Sequence, residues 1–407
     1  MCCGTSWTRR CSRPDCSRPN KFSAGRAGGS RLKAGPPARL SLDGILGWVM
    51  SVFKEMDGHE QVLFSSGPGG LRCVIAIHST LLGPALGGVR YLPYRDDDQA
   101  IDDALRLSRA MTYKAACAGL DIGGGKAVIF GGAGVEKSET LLRAFGQAVE
   151  SLSGRFIAAC DMGITTADLR VMRKESQWIR GLDVEEGGSG ESGAMTAYGV
   201  SLGIRACLKY LDGSDNLEGR LIAIDGVGKV GARLAAHLAD GGARLIVADI
   251  DQEKAERVAE ACGAEVVSRE KLYLLNVDVL SPNAIGNVID ADLVENLRCR
   301  IVAGGANNQL ASPVIADRLA ARGILYAPDF VINALGLIQV VDELHPAGHD
   351  MNRVRQHAEM IPERLVEIFT RSKNLNISTA GAATSMARDR LAAVWRVRSF
   401  WLPPQCR

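Results

Sequence analysis

The sequence predicts an α/β protein with two domains, the second built on a doubly wound parallel sheet. Two bulk properties support this prediction. A chain of 407 residues is long for one hydrophobic core, and its composition, 46% apolar and 23% charged, is globular. The third observation is local, because a buried strand, a glycine-rich turn, a helix and a further strand follow one another over residues 221–249.

The first domain is predicted over residues 50–193, where strands and amphipathic helices alternate. The run 83–88 is rich in turn-forming residues and separates the first strand from the first helix. The predicted strands are Leu71–His78, Ala127–Phe130 and Phe156–Cys160, and the predicted helices are Asp98–Ala116, Ser138–Leu152 and Thr165–Glu175.

The second domain is predicted over residues 194–334, and a cleft is expected between the two domains. Residues 335–394 are expected to form helices that pack back on the first domain. The predicted elements are helices at Ala194–Leu211, 231–238, Val314–Ala321, 334–344 and Asn352–Ser372, and strands at Leu221–Asp225, Arg244–Asp249, Val277–Leu280, Ile301–Ala303 and Ile324–Tyr326.

Both ends of the chain differ from the rest. Residues 1–49 are rich in Arg, Ser, Gly, Pro and Cys and contain only Asp15 and Asp43 as acids. An organelle transit peptide is one interpretation. We favour a start of translation at Met50, with residues 1–49 as a disordered or artefactual extension outside the family pattern. Residues 395–407 are expected to form an irregular tail.

Charge and cysteine content exclude several classes of function. A formal net charge of +2 gives no general attraction to nucleic acid or to membrane surfaces, and we find no apolar run long enough to span a bilayer. The 11 cysteines form no C-x-x-C pair in the body of the chain, and the six histidines are dispersed, so no metal site is predicted. We expect a cytoplasmic protein with free thiols.

The glycine-rich turn predicts a dinucleotide site. In the pattern Gly226-x-Gly228-x-x-Gly231, the first glycine permits a tight turn, the second lets the backbone approach a pyrophosphate, and the third lets helix and sheet pack closely. Asp249 ends the next strand, where an acid binds ribose and repels a 2′-phosphate, so NAD is predicted rather than NADP. The alternative is that Asp249 is a solvated acid. The predicted contacts with the cofactor also include Val227, Lys229 and Val230.

Two lysines near glycine turns form a second candidate site. Lys114 lies at the end of a predicted helix, and Lys126 follows Gly123-Gly124-Gly125. The pattern is not a phosphate-binding P-loop, because Ala127 follows the lysine. Two ammonium groups in one enclosed site would lower each other's pKa, which suits one of them to act as a base. On spacing alone, two solvated surface lysines are an equal alternative.

Several motifs together resemble the Glu/Leu/Phe/Val dehydrogenase family, most closely its leucine and valine dehydrogenases, over about residues 50–391. The resemblance implies NAD-dependent, reversible oxidative deamination of a branched-chain or other apolar L-amino acid to its 2-oxo acid and ammonia, by a homo-oligomer. The motifs are Leu82-Gly83-Pro84-Ala85-Leu86-Gly87-Gly88-Val89-Arg90, Met111–Lys114, Gly123–Lys126, Ala159–Gly163, Gly305–Asn308 and Tyr326–Asn333.

The resemblance also implies roles for individual residues. Lys114 would bind the substrate α-carboxylate, and Lys126 would be the catalytic base that activates water. Asp161 would assist proton transfer and bind the amino group, with Asn307 hydrogen-bonding nearby. The predicted contacts with the nicotinamide end of the cofactor are Thr196 and Asn333.

By the same resemblance, four apolar residues would line the substrate side-chain pocket: Leu86, Ala159, Leu337 and Val340. None of them could pair with a γ-carboxylate, so glutamate ranks well below leucine, valine and isoleucine. Ordinary core packing is the alternative for each residue. Phenylalanine or an unusual amino acid is the alternative substrate.

Three departures from the family pattern border the expected cleft. Leu335 stands where the family has glycine, and we expect it to crowd the cofactor or shift the helix. The runs 281–287 and 160–164 also differ from their family motifs. These departures motivate an alternative hypothesis, a catalytically silent relative that binds NAD or a 2-oxo acid as a sensor.

Overall fold

The computed structural model describes residue 56 and residues 58–131 and 136–397, which all belong to one compact unit of the chain. The predicted extension over residues 1–49 lies outside these residues. The expected tail is wrong for its first three residues, because the final helix continues through Val397.

The first sheet is mixed and has the strand order β1-β2-β4-β3-β5. Strand β3 runs parallel to β4 and β5, whereas β2 is antiparallel to both β1 and β4. The strands are β1 (Gln61–Gly67), β2 (Leu71–Ser79), β3 (Ala85–Pro93), β4 (Gly123–Gly131) and β5 (Phe156–Cys160).

Glycines that the sequence analysis assigned to turns lie inside two of these strands. Strand β3 begins at Ala85, and β4 includes all three glycines before Lys126. A Cβ at Gly87 would overlap the carbonyl oxygen of Gly125, and one at Gly124 would overlap the backbone of Thr112. The prediction of a turn was therefore wrong, because these glycines permit close packing within the sheet.

Helices cover both faces of the first sheet. Helix α1 (Asp97–Cys117) packs on one face, and α2 (Glu139–Glu150) and α3 (Thr166–Arg173) pack on the other. Asp96 caps α1 by accepting a hydrogen bond from the backbone N–H of Gln99, which satisfies one free donor at the helix start. This cap fixes the start of the helix that carries Lys114 in its last turn.

The second sheet is parallel throughout and has the order β8-β7-β6-β9-β10-β11, which is the doubly wound order. The glycine turn follows β6, at the position where the strand order reverses. The strands are β6 (Leu221–Asp225), β7 (Arg244–Ala248), β8 (Glu265–Val266), β9 (Val279–Pro282), β10 (Ile301–Val302) and β11 (Leu325–Tyr326).

The helices of this region lie along the second sheet and continue into the C-terminal part of the chain. They are α4 (Gly193–Asp212), α5 (Gly231–Asp240), α6 (Gln252–Cys262), α7 (Arg269–Leu272), α8 (Leu293–Asn296), α9 (Val314–Ala321), α10 (Asp329–Ile332), α11 (Leu335–Asp342), α12 (Met351–Ala358), α13 (Met360–Leu375) and α14 (Thr379–Val397).

The predicted helix over 352–372 is two helices, α12 and α13, which meet at Glu359. Pro362 lies in the first turn of α13 and has no backbone N–H to donate, so the helical ladder is interrupted there. Helix α14 contacts α1, and Arg390 donates to the carbonyl oxygens of Ala115 and Ala116 at 3.3 and 2.9 Å. This arginine therefore fixes the C-terminal end of α1.

None of the helices that the structure describes is long and apolar enough to cross a membrane. Within residues 58–131 and 136–397, no group of histidine, cysteine and acidic side chains is arranged to hold a metal ion. The cysteines of this part of the chain are free thiols; four are buried, whereas Cys160 is exposed and Cys262 is intermediate.

Candidate active site

Lys126 and Asp161 form an ion pair at the carboxyl end of β5. Lys126 lies within β4, opposite Ala76, and is 6% exposed. Asp161 directly follows β5 and accepts a hydrogen bond from the Lys126 ammonium. A Cβ at Gly88 of β3 would lie 2.7 Å from the Cβ of Asp161 and 3.2 Å from Nζ of Lys126. Glycine at position 88 therefore provides the space for this pair.

Arg90 extends the pair into a longer network. Its Nε lies 3.1 Å from Oδ2 of Asp161, and its Nη1 lies 2.7 Å from Oδ2 of Asp103 on α1. Asp103 also accepts a hydrogen bond of 2.8 Å from the hydroxyl of Tyr94. Charges of opposite sign thus alternate from Lys126 through Asp161 and Arg90 to Asp103.

Burial and neighbouring charges act in opposite directions on this network. Burial lowers the pKa of Lys126, and the adjacent Asp161 opposes that change without cancelling it. For Asp161, burial raises the pKa, but the positive charges of Lys126 and Arg90 outweigh burial and hold it below its usual range. The arrangement favours a carboxylate beside a lysine that loses its proton more readily than a free lysine does.

Lys114, in the last turn of α1, contacts a residue from the second half of the chain. Its Nζ donates to Oδ1 of Asn333 at 2.6 Å. The amide of Asn333 donates to the carbonyl oxygen of Gly305 at 3.1 Å and to Oδ1 of Asn307 at 2.9 Å. The structure therefore brings together Lys114, Asn307 and Asn333, which the sequence analysis assigned to substrate and cofactor.

Burial lowers the pKa of Lys114 to about 8, and the negative charge of Asp329 opposes this change. The sequence analysis attributed the expected low pKa to repulsion between the two lysines. Repulsion from Lys126 acts in that direction, but burial is the larger cause. Asp329 is itself buried, and burial raises its pKa.

Thr196 lies in the first turn of α4 and donates to the carbonyl oxygen of Ser192 at 2.9 Å. A Cβ at Gly336 would lie 2.5 Å from its hydroxyl oxygen. Glycine at position 336 therefore permits the close approach of α11 to Thr196. The predicted role of Thr196 stays a prediction.

The glycine turn has the backbone geometry that a pyrophosphate requires. Gly226 has φ +89°, and a Cβ at Gly231 would overlap the carbonyl oxygen of Gly226. A Cβ at Gly228 would meet no atom within 4 Å, so the backbone there is accessible. Gly228 and Lys229 are exposed, and α5 begins at Gly231 directly after Val230, so its free N–H groups face this turn.

Asp249 lies directly against this turn. Its Oδ2 accepts a hydrogen bond of 2.8 Å from the backbone N–H of Val227, and its Oδ1 accepts one of 2.9 Å from Asp251. The carboxylate is therefore ordered by the main chain and is not a freely solvated side chain. These residues fit a dinucleotide whose ribose lies against Asp249.

Three of the four predicted pocket residues share one apolar cluster. Leu86 and Leu337 are buried in it, and Val340 packs at its edge together with Met111 and Trp178. The fourth residue, Ala159, is buried on β5 opposite Gly88 and is not among the residues of this cluster. The other buried members of this cluster are Ala115, Ile122 and Ile157.

The chain matches two family models over most of its length. Residues 59–178 match the dimerisation domain of Glu/Leu/Phe/Val dehydrogenases, and residues 187–253 and 245–394 match the Glutamate/Leucine/Phenylalanine/Valine dehydrogenase model. The chain belongs to the Glu/Leu/Phe/Val dehydrogenase family. It is therefore a member of a family of oxidoreductases that act on amino acids, as the resemblance predicted.

Individual relatives agree with this assignment. The chain is 43% identical to the leucine dehydrogenase of Geobacillus stearothermophilus over 87% of its own length and 96% of the relative. It is 45% identical to the valine dehydrogenase of Streptomyces coelicolor, over 83% and 93% respectively. Among solved structures, the L-tryptophan dehydrogenase of Nostoc punctiforme is 41% identical with a TM-score of 0.74, over 86% of this chain and 99% of that one.

Leu335, one of the departures from the family pattern, is fully buried in the main hydrophobic core. A Cβ at Gly199 of α4 would lie 3.0 Å from the Cβ of Leu335, so Leu335 packs against α4, while Gly336 lies beside Thr196. The expectation that Leu335 crowds the cofactor or shifts the helix stays a prediction.

The altered run 281–287 makes local hydrogen bonds near the glycine turn. The amide of Asn283 donates to the carbonyl oxygen of Ser281 at 2.8 Å, and its Oδ1 accepts from the backbone N–H of Gly305 at 2.8 Å. Asn283 thereby connects β9 to the run that carries Asn307. Both the amide nitrogen and the amide oxygen of Asn283 are therefore hydrogen-bonded.

Sequence reasoning gave no role to Arg90, Asp103 or Asp329. Arg90 was part of a quoted motif, and its position two residues after Gly88 puts both on one face of β3. That spacing was a usable signal. Asp329 likewise belongs to the quoted motif Tyr326–Asn333, whereas Asp103 carried no such signal, because its contact with Arg90 arises from packing between α1 and β3.

Proposed function

We propose that this protein catalyses the NAD-dependent, reversible oxidative deamination of a branched-chain L-amino acid, with L-leucine as the principal substrate. One observation of the site carries the substrate class: Leu86, Leu337 and Val340 pack together among apolar side chains, and Leu86 and Leu337 are buried. A substrate carboxylate or ammonium group in such a cluster would stay unpaired, which is costly. The relatives named leucine and valine dehydrogenase support the same class.

The two lysines have different proposed roles. Lys114 binds the α-carboxylate, since its partner in the free protein is the neutral amide of Asn333, which the substrate carboxylate can replace. Lys126 acts as the base, since burial lowers its pKa toward the range in which a lysine accepts a proton near neutrality. Asp161, paired with Lys126, holds the substrate amino group and carries protons between it and the base.

These roles account for every atom of the reaction. A bound nicotinamide supplies the acceptor for the hydride that leaves Cα. Lys126 removes a proton from water as the water oxygen bonds to the resulting iminium carbon. Lys126 passes this proton through Asp161 to the nitrogen and then takes the hydroxyl proton as the C–N bond breaks, so that ammonia and the 2-oxo acid are released. The overall reaction converts one amino acid, one NAD⁺ and one water into one 2-oxo acid, one NADH, one ammonium ion and one proton.

We propose NAD rather than NADP because of Asp249. The family assignment supports a pyridine nucleotide without distinguishing the two. Both carboxylate oxygens of Asp249 accept backbone hydrogen bonds, so the negative charge is held beside the expected ribose. A 2′-phosphate at that position would be repelled.

We also propose a cytoplasmic homo-oligomer whose only ligands are small molecules, with no nucleic-acid or membrane partner. The description of residues 59–178 as a dimerisation domain in the family model supports self-association. The domain boundaries at 193/194 and 334/335 stay predictions as well. The hydrogen bond between Lys114 and Asn333 connects the first proposed domain to the second.

An aromatic amino acid is the second candidate substrate. The tryptophan dehydrogenase named above is as similar in sequence as the leucine dehydrogenases are, so overall identity does not separate the two classes. Met111 and Trp178 pack at the edge of the apolar cluster. We expect their bulk to favour the aliphatic substrates.

The test is a direct assay. Residues 50–407 and the full chain would be mixed with L-leucine, L-valine, L-isoleucine, L-phenylalanine, L-tryptophan and L-glutamate at alkaline pH, with NAD or NADP, and reduced nucleotide would be followed by absorbance. We expect NAD-linked turnover with the highest kcat/KM on an aliphatic substrate. A preference for phenylalanine or tryptophan would overturn the substrate class, and binding of NAD without any turnover would support the silent relative instead.

A further inference from the structure

Arg90 is the only described side chain that contacts both Asp161 and an acid of another element. It lies on β3, two residues after Gly88, so both positions face the same side of the sheet. From there its Nε reaches Asp161 at 3.1 Å and its Nη1 reaches Asp103 at 2.7 Å. The three side chains are 13–18% exposed, so water competes little for these contacts.

The geometry of this contact requires an arginine. Two different nitrogens of one planar guanidinium hold two carboxylates from separate elements, the loop after β5 and helix α1. A lysine carries a single ammonium on a flexible stem and could not hold both acids with the same separation. Tyr94 donates to Asp103 from the other side, which fixes the acid that anchors Arg90.

Several charged groups face Lys126 from the elements packed around it. Asp161 lies after β5, Arg90 on β3, and Asp103 and Lys114 on α1. The two acids favour the ammonium form of Lys126, whereas Arg90 and Lys114 oppose it. Arg90 is the only one of these groups that also holds Asp161 in place, so it affects both the position of the acid and the charge state of the base.

We propose that Arg90 is a positioning residue, which holds the Asp161 carboxylate against Lys126 and keeps Lys126 able to release its proton, with Asp103 as its anchor. The proposal rests on the proposed function, in which Lys126 is the base. Without Arg90, Asp161 would keep its contact with Lys126 but lose the second contact that orients it. Asp161 and Asp103 would then favour the ammonium form of Lys126 without the opposing charge of Arg90. Turnover would then require a higher pH.

The test compares Arg90→Gln and Arg90→Lys with the wild-type protein. We expect Arg90→Gln to lower kcat/KM by about 10²-fold near neutral pH. The acid limb of its pH profile of kcat/KM should shift to higher pH by about one unit, since nearby charges shift a pKa by about that much. Arg90→Lys keeps the charge but not the two-acid contact. It should keep the acid limb near the wild-type position while kcat stays reduced.

The matched control is Arg72→Gln. Arg72 of β2 also pairs with an acid of α1, Asp97, but both side chains are 56% exposed. We expect no change in kcat or in the pH profile for this variant. Thermal melting would show that all three variants are folded.

A second readout does not depend on turnover. Acylation of Lys126 by an amine-selective reagent, followed by mass spectrometry across pH 6–10, reports its proton release directly. We expect the midpoint of the curve of Lys126 acylation against pH to move to higher pH in Arg90→Gln and to stay unchanged in Arg72→Gln. An unchanged midpoint and acid limb in Arg90→Gln would overturn the proposal for Arg90, whereas a shifted midpoint in a protein without turnover would overturn the proposed function alone.

Discussion

The site near Lys126 and the glycine turn after β6 differ in the groups that form them. The first is made of charged side chains in contact, in which Lys126, Asp161 and Arg90 are each held by the next. The second is made of main chain, and its glycines matter because they carry no side chain. A substitution at the first site therefore changes charge and proton transfer, whereas one at the second changes space and backbone conformation.

The two regions also differ in how strongly the surrounding fold constrains them. Lys126 lies inside a strand of the sheet, with neighbours on both sides. Gly228 lies in an open turn where an added Cβ would meet nothing within 4 Å. Chemistry at the first region and ligand binding at the second should thus respond separately to mutation, and three experiments can test that separation.

The largest effect is expected from Lys126→Ala. Loss of a general base costs about 10²–10⁴-fold in rate, so we expect turnover to fall to the limit of detection. NAD should still bind, because the glycine turn lies on the other sheet and none of its contacts involves Lys126. The measurements are kcat from the NADH assay and NAD affinity from calorimetry.

The control for Lys126→Ala is Lys174→Ala. Lys174 is half-exposed and lies 3.5 Å from an exposed acid, Glu139, so its removal should change neither quantity. Substantial activity in Lys126→Ala would overturn the role of Lys126. Loss of NAD binding in the same variant would contradict the separation of the two regions.

Two glycine variants test the other region. In Gly231→Ala the new Cβ overlaps the carbonyl oxygen of Gly226, so we expect a loss of about 1–3 kcal/mol in the free energy of unfolding, together with weak NAD binding. In Gly228→Ala the Cβ has open space. We expect an unchanged Tm and about tenfold weaker NAD binding, which corresponds to about 1.4 kcal/mol.

Thermal melting and NAD titration of both glycine variants separate the two effects. Equal losses of Tm would show that position 228 is constrained by the fold. Unchanged NAD affinity in Gly228→Ala would show that the cofactor does not approach the turn as closely as proposed.

The smallest effect concerns the pH dependence of Lys114. Its pKa is lowered to about 8, so the ammonium that binds a carboxylate is present below pH 8 and is lost above it. We expect the affinity of the enzyme for a 2-oxo acid, in the presence of NADH, to fall about tenfold between pH 7 and pH 9. Lys114→Arg, which keeps its charge, should bind more weakly but with little change over the same range.

A fluorescence titration at half-unit pH steps measures this dependence. A wild-type affinity that stays constant to pH 9.5 would contradict the lowered pKa. A parallel fall in Lys114→Arg would assign the pH dependence to another group, and Lys126 would then be the first to examine.

Much of the fold could be predicted, because it depends on patterns that lie close together in the chain. Alternating strands and amphipathic helices indicated the α/β class, and Gly226, Gly228 and Gly231 with Asp249 located the glycine turn, the proposed cofactor site, within one strand–helix–strand unit. The errors were also local in origin. Gly123–Gly125 were assigned to a turn by composition, whereas close neighbours in the sheet make them part of β4.

The side chains of the proposed active site could be named from the sequence, but the residues that they contact could not. Lys114, Lys126 and Asp161 could be named from motifs, and the structure adds that Lys126 contacts Asp161 directly while Lys114 contacts Asn333. The packing of Leu335 in the core could not be predicted, since a single-residue change in a helix does not show which face it occupies.

The sequence by itself determined the family, the α/β class and the residue types of the site, since these depend on short motifs and on periodicity. Only the tertiary structure decided the charge balance around Lys126. That balance needs Arg90 of β3 within about 3 Å both of Asp103 on α1 and of Asp161 at the end of β5. Coulomb energy and burial depend on distances through space, which residues far apart in the chain acquire only when the sheet and its helices pack.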